Sequence, residues 1–265
     1  GAAKVEVKDG KSTITYDQET AKMIVKLLEQ AQKTAVDRPA QLEINLVGIK
    51  DLGEDVALNI PANIIVAADK AGIPLGINSN LINIQLPVST LDLEGAESFV
   101  INLKTLDSDK ALAGITGLES KKSIGKAQDI TFLIDGKAAD LKNKIKLTFN
   151  IKGISANVDK LGVYYLNPES KSLEFVGGKF DKDAGIIWAR LSHLSTYMLM
   201  EYDKSFADIE GHWAQNYIES MAAKHILAGK TTDEFAPEDF TTRAEFAKII
   251  VLALDLDLEA YEGVF

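Results

Sequence analysis

The chain has 265 residues, 46% of them hydrophobic and 26% charged, with a formal net charge of −10. A chain of that size and balance buries a real core and has room for two or three domains. It contains no cysteine, which removes disulfide scaffolds, thiolate metal sites and cysteine nucleophiles from consideration. No apolar run approaches the ~18–20 residues that span a bilayer, and no basic stripe offsets the acidity, so neither membrane insertion nor binding to nucleic acid is expected.

The charge is uneven. From Glu201 to Phe265 there are 14 acidic and 5 basic residues, against 25 acidic and 24 basic in the remainder. A boundary near residue 203 is the natural reading. The opening Gly1-Ala-Ala-Lys4 has no apolar leader core, and with the abrupt end at Phe265 it reads as the edge of a longer chain whose leader has been removed.

In chain order, residues 4–16 alternate around Asp9-Gly10, which predicts a hairpin with a type I′ turn. Asp17-Gln-Glu-Thr20 is an N-cap with an acidic first turn, and Ala21, Ile24, Val25, Leu27, Leu28 and Ala31 follow at helical spacing, so a helix is expected up to Asp37-Arg-Pro. Residues 41–47 and 56–61 read as strands, 62–71 as a short helix closed by Gly72, and 74–78 with 81–87 as a hairpin around Ser79-Asn80. Residues 1–96 are therefore expected to form a mixed α/β module.

From 97 to 203 the signals are strands at short spacing: 98–104, 129–134, 144–152, 161–166, 172–180, 185–191 and 197–202. That pattern predicts a β-sandwich-like module. Asp107-Ser-Asp109 and Asp181-Lys-Asp183 are weak calcium candidates, though acids in turns are ordinarily solvated; no cofactor or metal site is expected.

Residues 204–265 read as a helical module. Trp213, Tyr217, Ile218, Met221, Ala222 and Ile226 recur at helical spacing, Gly229 ends that helix, and a second begins at Thr242 with Phe246, Ile249, Ile250 and Ala253 on one face. The fold class is thus α+β. In order, the module carries Phe206-Ala-Asp208, His212-Trp213-Ala214, Gly229, Phe235-Ala-Pro237 and Thr242-Arg-Ala-Glu245. This succession resembles an S-layer homology (SLH) repeat of Gram-positive cell-surface proteins over residues 206–256. It departs from the family in the loop, where Thr232-Asp233-Glu234 replaces the usual Asp-Gly before the aromatic residue. Tyr261-Glu-Gly-Val-Phe265 looks like the run into a second repeat, with Phe265 standing 59 residues after Phe206.

The resemblance implies an extracellular, wall-bound protein without catalytic activity. It further implies binding to secondary cell-wall polysaccharide, often bearing pyruvyl ketal carboxylates, with further SLH repeats as partners in cis or in trans. The polysaccharide contacts it implies are Arg243, Thr242, Glu245 and Trp213. Thr242 and Glu245 also make a capping box. Arg243 does not fit that role, because a cation at the first helical position opposes the helix dipole; it reads as a carboxylate contact, or else as a surface or interdomain ion pair. Trp213 is expected in the small core, with a sugar platform as the alternative, and His212 as a local cap. An accessory region of a larger secreted enzyme is the alternative function.

One sharper motif remains. His193-Leu194-Ser195 resembles the autoproteolysis sites of certain nucleoporins and adhesion receptors, where Ser195 would attack the Leu194 carbonyl after His193 takes its proton. A tight turn or strand entry is the favoured reading of these three residues.

Overall fold

The computed structural model describes residues 3–34, 41–256 and 263. The expected helix stop at Asp37-Arg-Pro and the second-repeat signature at Tyr261–Phe265 lie outside the described residues.

β1 (Ala3–Lys8) and β2 (Lys11–Tyr16) form the expected hairpin. Asp9 and Gly10 sit at φ 51° and 78°, both positive as a type I′ turn demands. α1 (Gln18–Thr34) starts where Asp17 accepts the Thr20 N–H at 2.7 Å. It is followed by β3 (Leu42–Asn45), β4 (Asp55–Pro61) and α2 (Ala62–Lys70). β5 (Leu75–Asn78) and β6 (Ile82–Leu86) make the next hairpin. α1 lies against α2, and the Gln32 side chain donates to the Lys70 carbonyl at 3.0 Å.

Next come β7 (Ser98–Leu106), α3 (Ser108–Leu112), β8 (Lys121–Ile134), β9 (Lys137–Ala138) and β10 (Ile145–Asn150). β11 (Leu161–Asn167), β12 (Ser172–Gly177), β13 (Lys179–Asp181), β14 (Ile186–Leu191) and β15 (Thr196–Tyr202) complete the β-rich part. Two helices close the chain, α4 (Gln215–Ala223) and α5 (Arg243–Leu254).

The strands make two sheets. The larger has the order β1-β2-β4-β7-β8-β15-β11-β12, with β9 added on β8, and the smaller runs β13-β14-β10-β6-β5-β3. Their inward side chains belong to one contiguous apolar cluster: Leu58, Ile101 and Phe132 come from the larger sheet, Ile77, Ile84 and Leu147 from the smaller. Phe99 and Phe132 meet edge to face inside it, with ring centroids 5.5 Å apart.

This topology corrects the expected division at residue 96. β7 pairs along its length with β4, and β10 pairs with β6, so both sheets draw strands from both sides of that position. Local patterning locates strands but not the partners their backbone groups must find, and those partners lie far away in sequence. Among the described residues up to 202, strands from both sides of position 96 share the main core, and a smaller cluster of Ala127, Tyr164, Leu166, Met198 and Met200 lies apart from it.

Two strand readings also change. β8 begins at Lys121, eight residues before the expected start at 129, because its first half is polar. Only Ile124, Ala127 and Gln128 are buried there, and β15 supplies the pairing. The expected strand 172–180 is broken at Gly177-Gly178, where the chain leaves one sheet for the other. A Cβ on Gly178 would lie 3.2 Å from the Leu161 carbonyl and from Gly162 Cα, and Gly177 sits at φ 146°. A glycine pair is what permits the crossing.

Candidate functional site

The module after residue 203 is held by a small core. Phe206, Ile209, Ile218 and Ala222 are buried together, with Ala214 and Phe235 packed against them. Phe206 and Phe235 have ring centroids 5.5 Å apart. Gly229 passes so close to Phe206 that an added Cβ would sit 2.4 Å from its ring and 2.6 Å from the Thr231 and Glu234 carbonyls. Only glycine fits there. Asp208 holds the Phe-x-Pro loop by accepting the Phe235 N–H at 2.9 Å and the Ala236 N–H at 2.6 Å. Those amides, the Phe235 N–H first, draw its carboxyl below the usual range. The spaced motif residues are thus one knot.

His212 caps the start of α4, its Nδ1 accepting the Ala214 N–H at 3.2 Å. Nε2 then carries the proton and meets the Glu238 carboxylate at 3.2 Å. Trp213 does not join the core: it is 82% exposed, and Tyr217 is 69% exposed. The reading of Trp213 as a core residue is therefore corrected. Five of the six apolar positions split between two faces, Ile218 and Ala222 turning inward while Trp213, Tyr217 and Met221 stay in solvent. The sixth, Ile226, is half-buried beyond the helix, which ends at Ala223 and not at Gly229 as expected.

α5 opens with a complete capping box. Thr242 Oγ1 accepts the Glu245 N–H at 3.2 Å, and Glu245 accepts the Thr242 N–H at 2.8 Å. Glu245 also pairs with Lys230 at 2.9 Å. Its carboxyl is drawn down to about 2, chiefly by the Thr242 N–H and then by Lys230. Arg243, between these two residues, is exposed, and no described carboxylate pairs with it. A groove of about 330 Å³ lies beside this turn, lined by Ile226, Gly229, Phe235, Pro237, Phe240 and Glu245 among others. The structure therefore gathers Thr242, Arg243 and Glu245 on one helical turn and spends the outer two on capping. It leaves Trp213 outside that turn, packed beside His212, whose Nε2 meets Glu238 in the loop before α5.

No residue of α5 is buried, and Phe246, Ile250, Leu252 and Leu254 are exposed along it. The expected apolar face exists in sequence but has no described partner surface.

Residues 205–247 match the family model of the S-layer homology domain. This segment is an SLH domain. SLH domains anchor proteins at the bacterial cell surface. Over 253 residues, 96% of its length, the chain is 29% identical to an amylopullulanase of Thermoanaerobacterium thermosulfurigenes, covering 13% of that protein. A cellulosome-anchoring protein of Acetivibrio thermocellus is 28% identical over 169 residues, 60% of this chain and 31% of that one. An exoglucanase of Acetivibrio thermocellus is 41% identical over 61 residues, 23% of this chain and 6% of its own. The chain thus spans a small part of the curated relatives it matches.

The SLH domain docks on the β-rich body through groups that sequence reading did not single out. Lys160, just before β11, reaches Glu219 on α4 at 2.8 Å and Asp203 at 2.5 Å. Ser205 and Gln215 donate to the other Glu219 oxygen at 2.8 and 3.1 Å. Burial alone would raise the Glu219 carboxyl, but Lys160, Gln215 and Ser205 together hold it below its usual value. His225, at φ 55°, bonds the Tyr164 hydroxyl through Nε2 at 3.0 Å, stacks on Tyr202 and packs against Phe175. Partial desolvation by these rings, aided by Lys121, lowers its pKa, although one edge of the residue stays open to solvent. The available signal was Glu219 itself, a carboxylate beside Ile218 and Ala222 that needs a buried partner.

The His193-Leu194-Ser195 step is a strand entry. The Tyr197 hydroxyl donates to the His193 carbonyl at 2.7 Å, tying the turn to β15, and the Ser195 carbonyl accepts the Ile130 N–H at 3.0 Å. The His193 ring packs on Tyr165 and Tyr197, and its hydrogen bond among the described residues goes to Ser192 at 3.4 Å. The acidic turn pairs act as caps: Asp107 accepts from the amides of Asp109 and Lys110, and Asp181 from that of Ala184. No helix among the described residues is long and apolar enough to cross a membrane.

Proposed function

We propose that this chain is an anchoring region that uses its SLH domain to hold a larger surface protein on secondary cell-wall polysaccharide, and performs no chemistry itself. Arg243 grips a sugar-borne carboxylate, as on a pyruvylated polymer, while Thr242 and Glu245 set the helix start that positions it and Trp213 offers an exposed ring for the sugar. The observation that carries this reading is the exposed guanidinium on the first turn of α5, facing no described carboxylate although Thr242 and Glu245 on the same turn are both engaged. A cation kept where the helix dipole disfavours it fits an anionic ligand. Further SLH repeats, in cis or in trans, are proposed to cover the apolar side of α5. The test is retention on purified cell walls: Arg243→Ala is expected to abolish it in a chain carrying its full set of repeats. Undiminished retention would overturn the reading.

A second reading shares the anchor. The amylopullulanase match runs through both the β-rich body and the SLH domain, which supports a role as the accessory region of a larger secreted enzyme whose catalytic part lies elsewhere in the chain. The full-length reading frame separates the two.

A further inference from the structure

The outer face of the smaller sheet carries an arrangement that its core does not require. Along β10, Ile145, Leu147 and Phe149 point into the core, and along β14 so do Ile187, Ala189 and Leu191. The alternate positions therefore turn away from the core: Arg190 is exposed, Lys146 and Trp188 are half-buried, and Thr148 is covered by its neighbours. Register places them in two rows: Lys179, Trp188, Thr148 and Asn83 lie directly across from one another, and so do Arg190, Lys146 and Gln85.

The centre of this face is Trp188. Lys146 Nζ lies 4.4 Å and Lys179 Nζ 5.3 Å from its ring centroid. Lys146 and Arg190 stand directly opposite each other on neighbouring strands, an arrangement of like charges that costs stability. No described carboxylate pairs with either of them, whereas Lys179 pairs with Asp255 at the end of α5, 3.3 Å away. Farther along, Gln41 lies flat over Gly76, where any Cβ would fall 2.0 Å from its amide nitrogen, and its oxygen accepts from Gln85 at 3.2 Å. Asn83 and Gln85 are exposed beside it. Four strands at the usual spacing of ~4.8 Å make a platform about 14 Å across.

We propose that this face is a second polysaccharide-binding site, separate from the SLH domain, for an acidic glycan. Trp188 supplies a ring on which a sugar face stacks, Lys146 and Arg190 bind carboxylates, and the row of amides reads hydroxyls. The choice of an anionic ligand rests on charge: two cations opposed across a strand pair with no described carboxylate partner, in a chain of net charge −10, are drawn to an anion that bridges them. Neutral glycans need no such cations.

The test is titration calorimetry of the full chain with polygalacturonate, with soluble neutral xylan and polyglutamate as comparison polymers. Saturable polygalacturonate binding is expected, weakened about tenfold or more by K146E/R190E and likewise by Trp188→Ala. Raising salt from about 50 mM to about 500 mM is expected to weaken it as well. Lys146→Glu and Arg190→Glu change surface positions, so an unaltered melting curve certifies that variant as folded even if Trp188→Ala is not. Absence of saturable binding, equal binding of xylan or polyglutamate, or undiminished binding by the double variant would overturn the proposal.

Discussion

The β-rich body and the SLH domain are stabilised in opposite ways. In the body, two sheets close over one apolar cluster with side chains such as Phe99, Leu58 and Ile84 removed from solvent. In the SLH domain four buried side chains carry the core, and α5 contributes no buried residue. A thin core is compensated by specific polar ties: Asp208 to the loop, the Thr242–Glu245 box, and the Lys160–Glu219 dock. Repeats of this kind complete their burial against neighbours, and the contrast shows which half of the molecule can fold from its own contacts.

The largest effect that would sharpen this contrast is expected from Phe206→Ala. Loss of a buried ring of this size costs about 3–5 kcal/mol, enough to unfold the SLH domain while the body stays intact. Hydrogen exchange should then show full protection in β7 and β8 and none in α4. Loss of protection in both regions would show that the body depends on the SLH domain for its fold.

Next comes the dock. Lys160 and Glu219 are 14% and 10% exposed, and removing Glu219 leaves Lys160 paired with Asp203 alone, at a cost of about 2 kcal/mol for the lost charged hydrogen bonds. Glu219→Ala should detach α4 from the body without moving the melting transition of the sheets. A third change, Thr242→Ala, removes one half of the capping box and should cost about 1 kcal/mol, read as fraying of the first turn of α5.

A weaker but more selective probe is pH. His225 is neutral when docked, and its pKa lies below 6.5. Protonation is thus favoured in the undocked state. Its contribution to docking is fully present above that ordinary value and declines as pH falls below it, toward the depressed docked value. The groups facing the ring are Tyr164, Tyr202 and Lys121, none of which becomes an anion on acidification. Glu219 acts in the same direction lower down: its docked pKa lies below 4.5, so its contribution fades as pH falls from there. Lys160, whose pKa is raised above 10.5, holds its share until the pH exceeds that value. Docking should therefore be strongest between neutrality and about pH 10, and His225→Phe should remove the first step of its acid loss. Smallest of all is the effect expected at His193-Leu194-Ser195, where a denaturing mass spectrum should show one intact chain.

Much of this was legible in the residues. The hairpin at Asp9-Gly10, α1, α2 and most strands followed from period and turn chemistry, because those signals are local. So did the SLH domain, whose motif residues are few, spaced and chemically distinctive. The capping box was legible for the same reason, since Thr242 and Glu245 stand three residues apart on one helical turn. Trp213 was misplaced because helical spacing alone does not say which of two faces turns inward, and Ile218 with Ala222 took the inner one.

What the amino-acid sequence determined unaided was therefore most of the elements, the α+β class and the identity of the last domain. Tertiary structure alone decided that β4 meets β7 and β6 meets β10, which dissolves the division at residue 96. It also set Glu219 and His225 against the body, and laid Lys146 beside Arg190 around Trp188. Each of these is a contact between residues distant in the chain. A periodic pattern records which side of an element is apolar, whereas its partner is chosen only when every buried backbone and charged group must be satisfied at once.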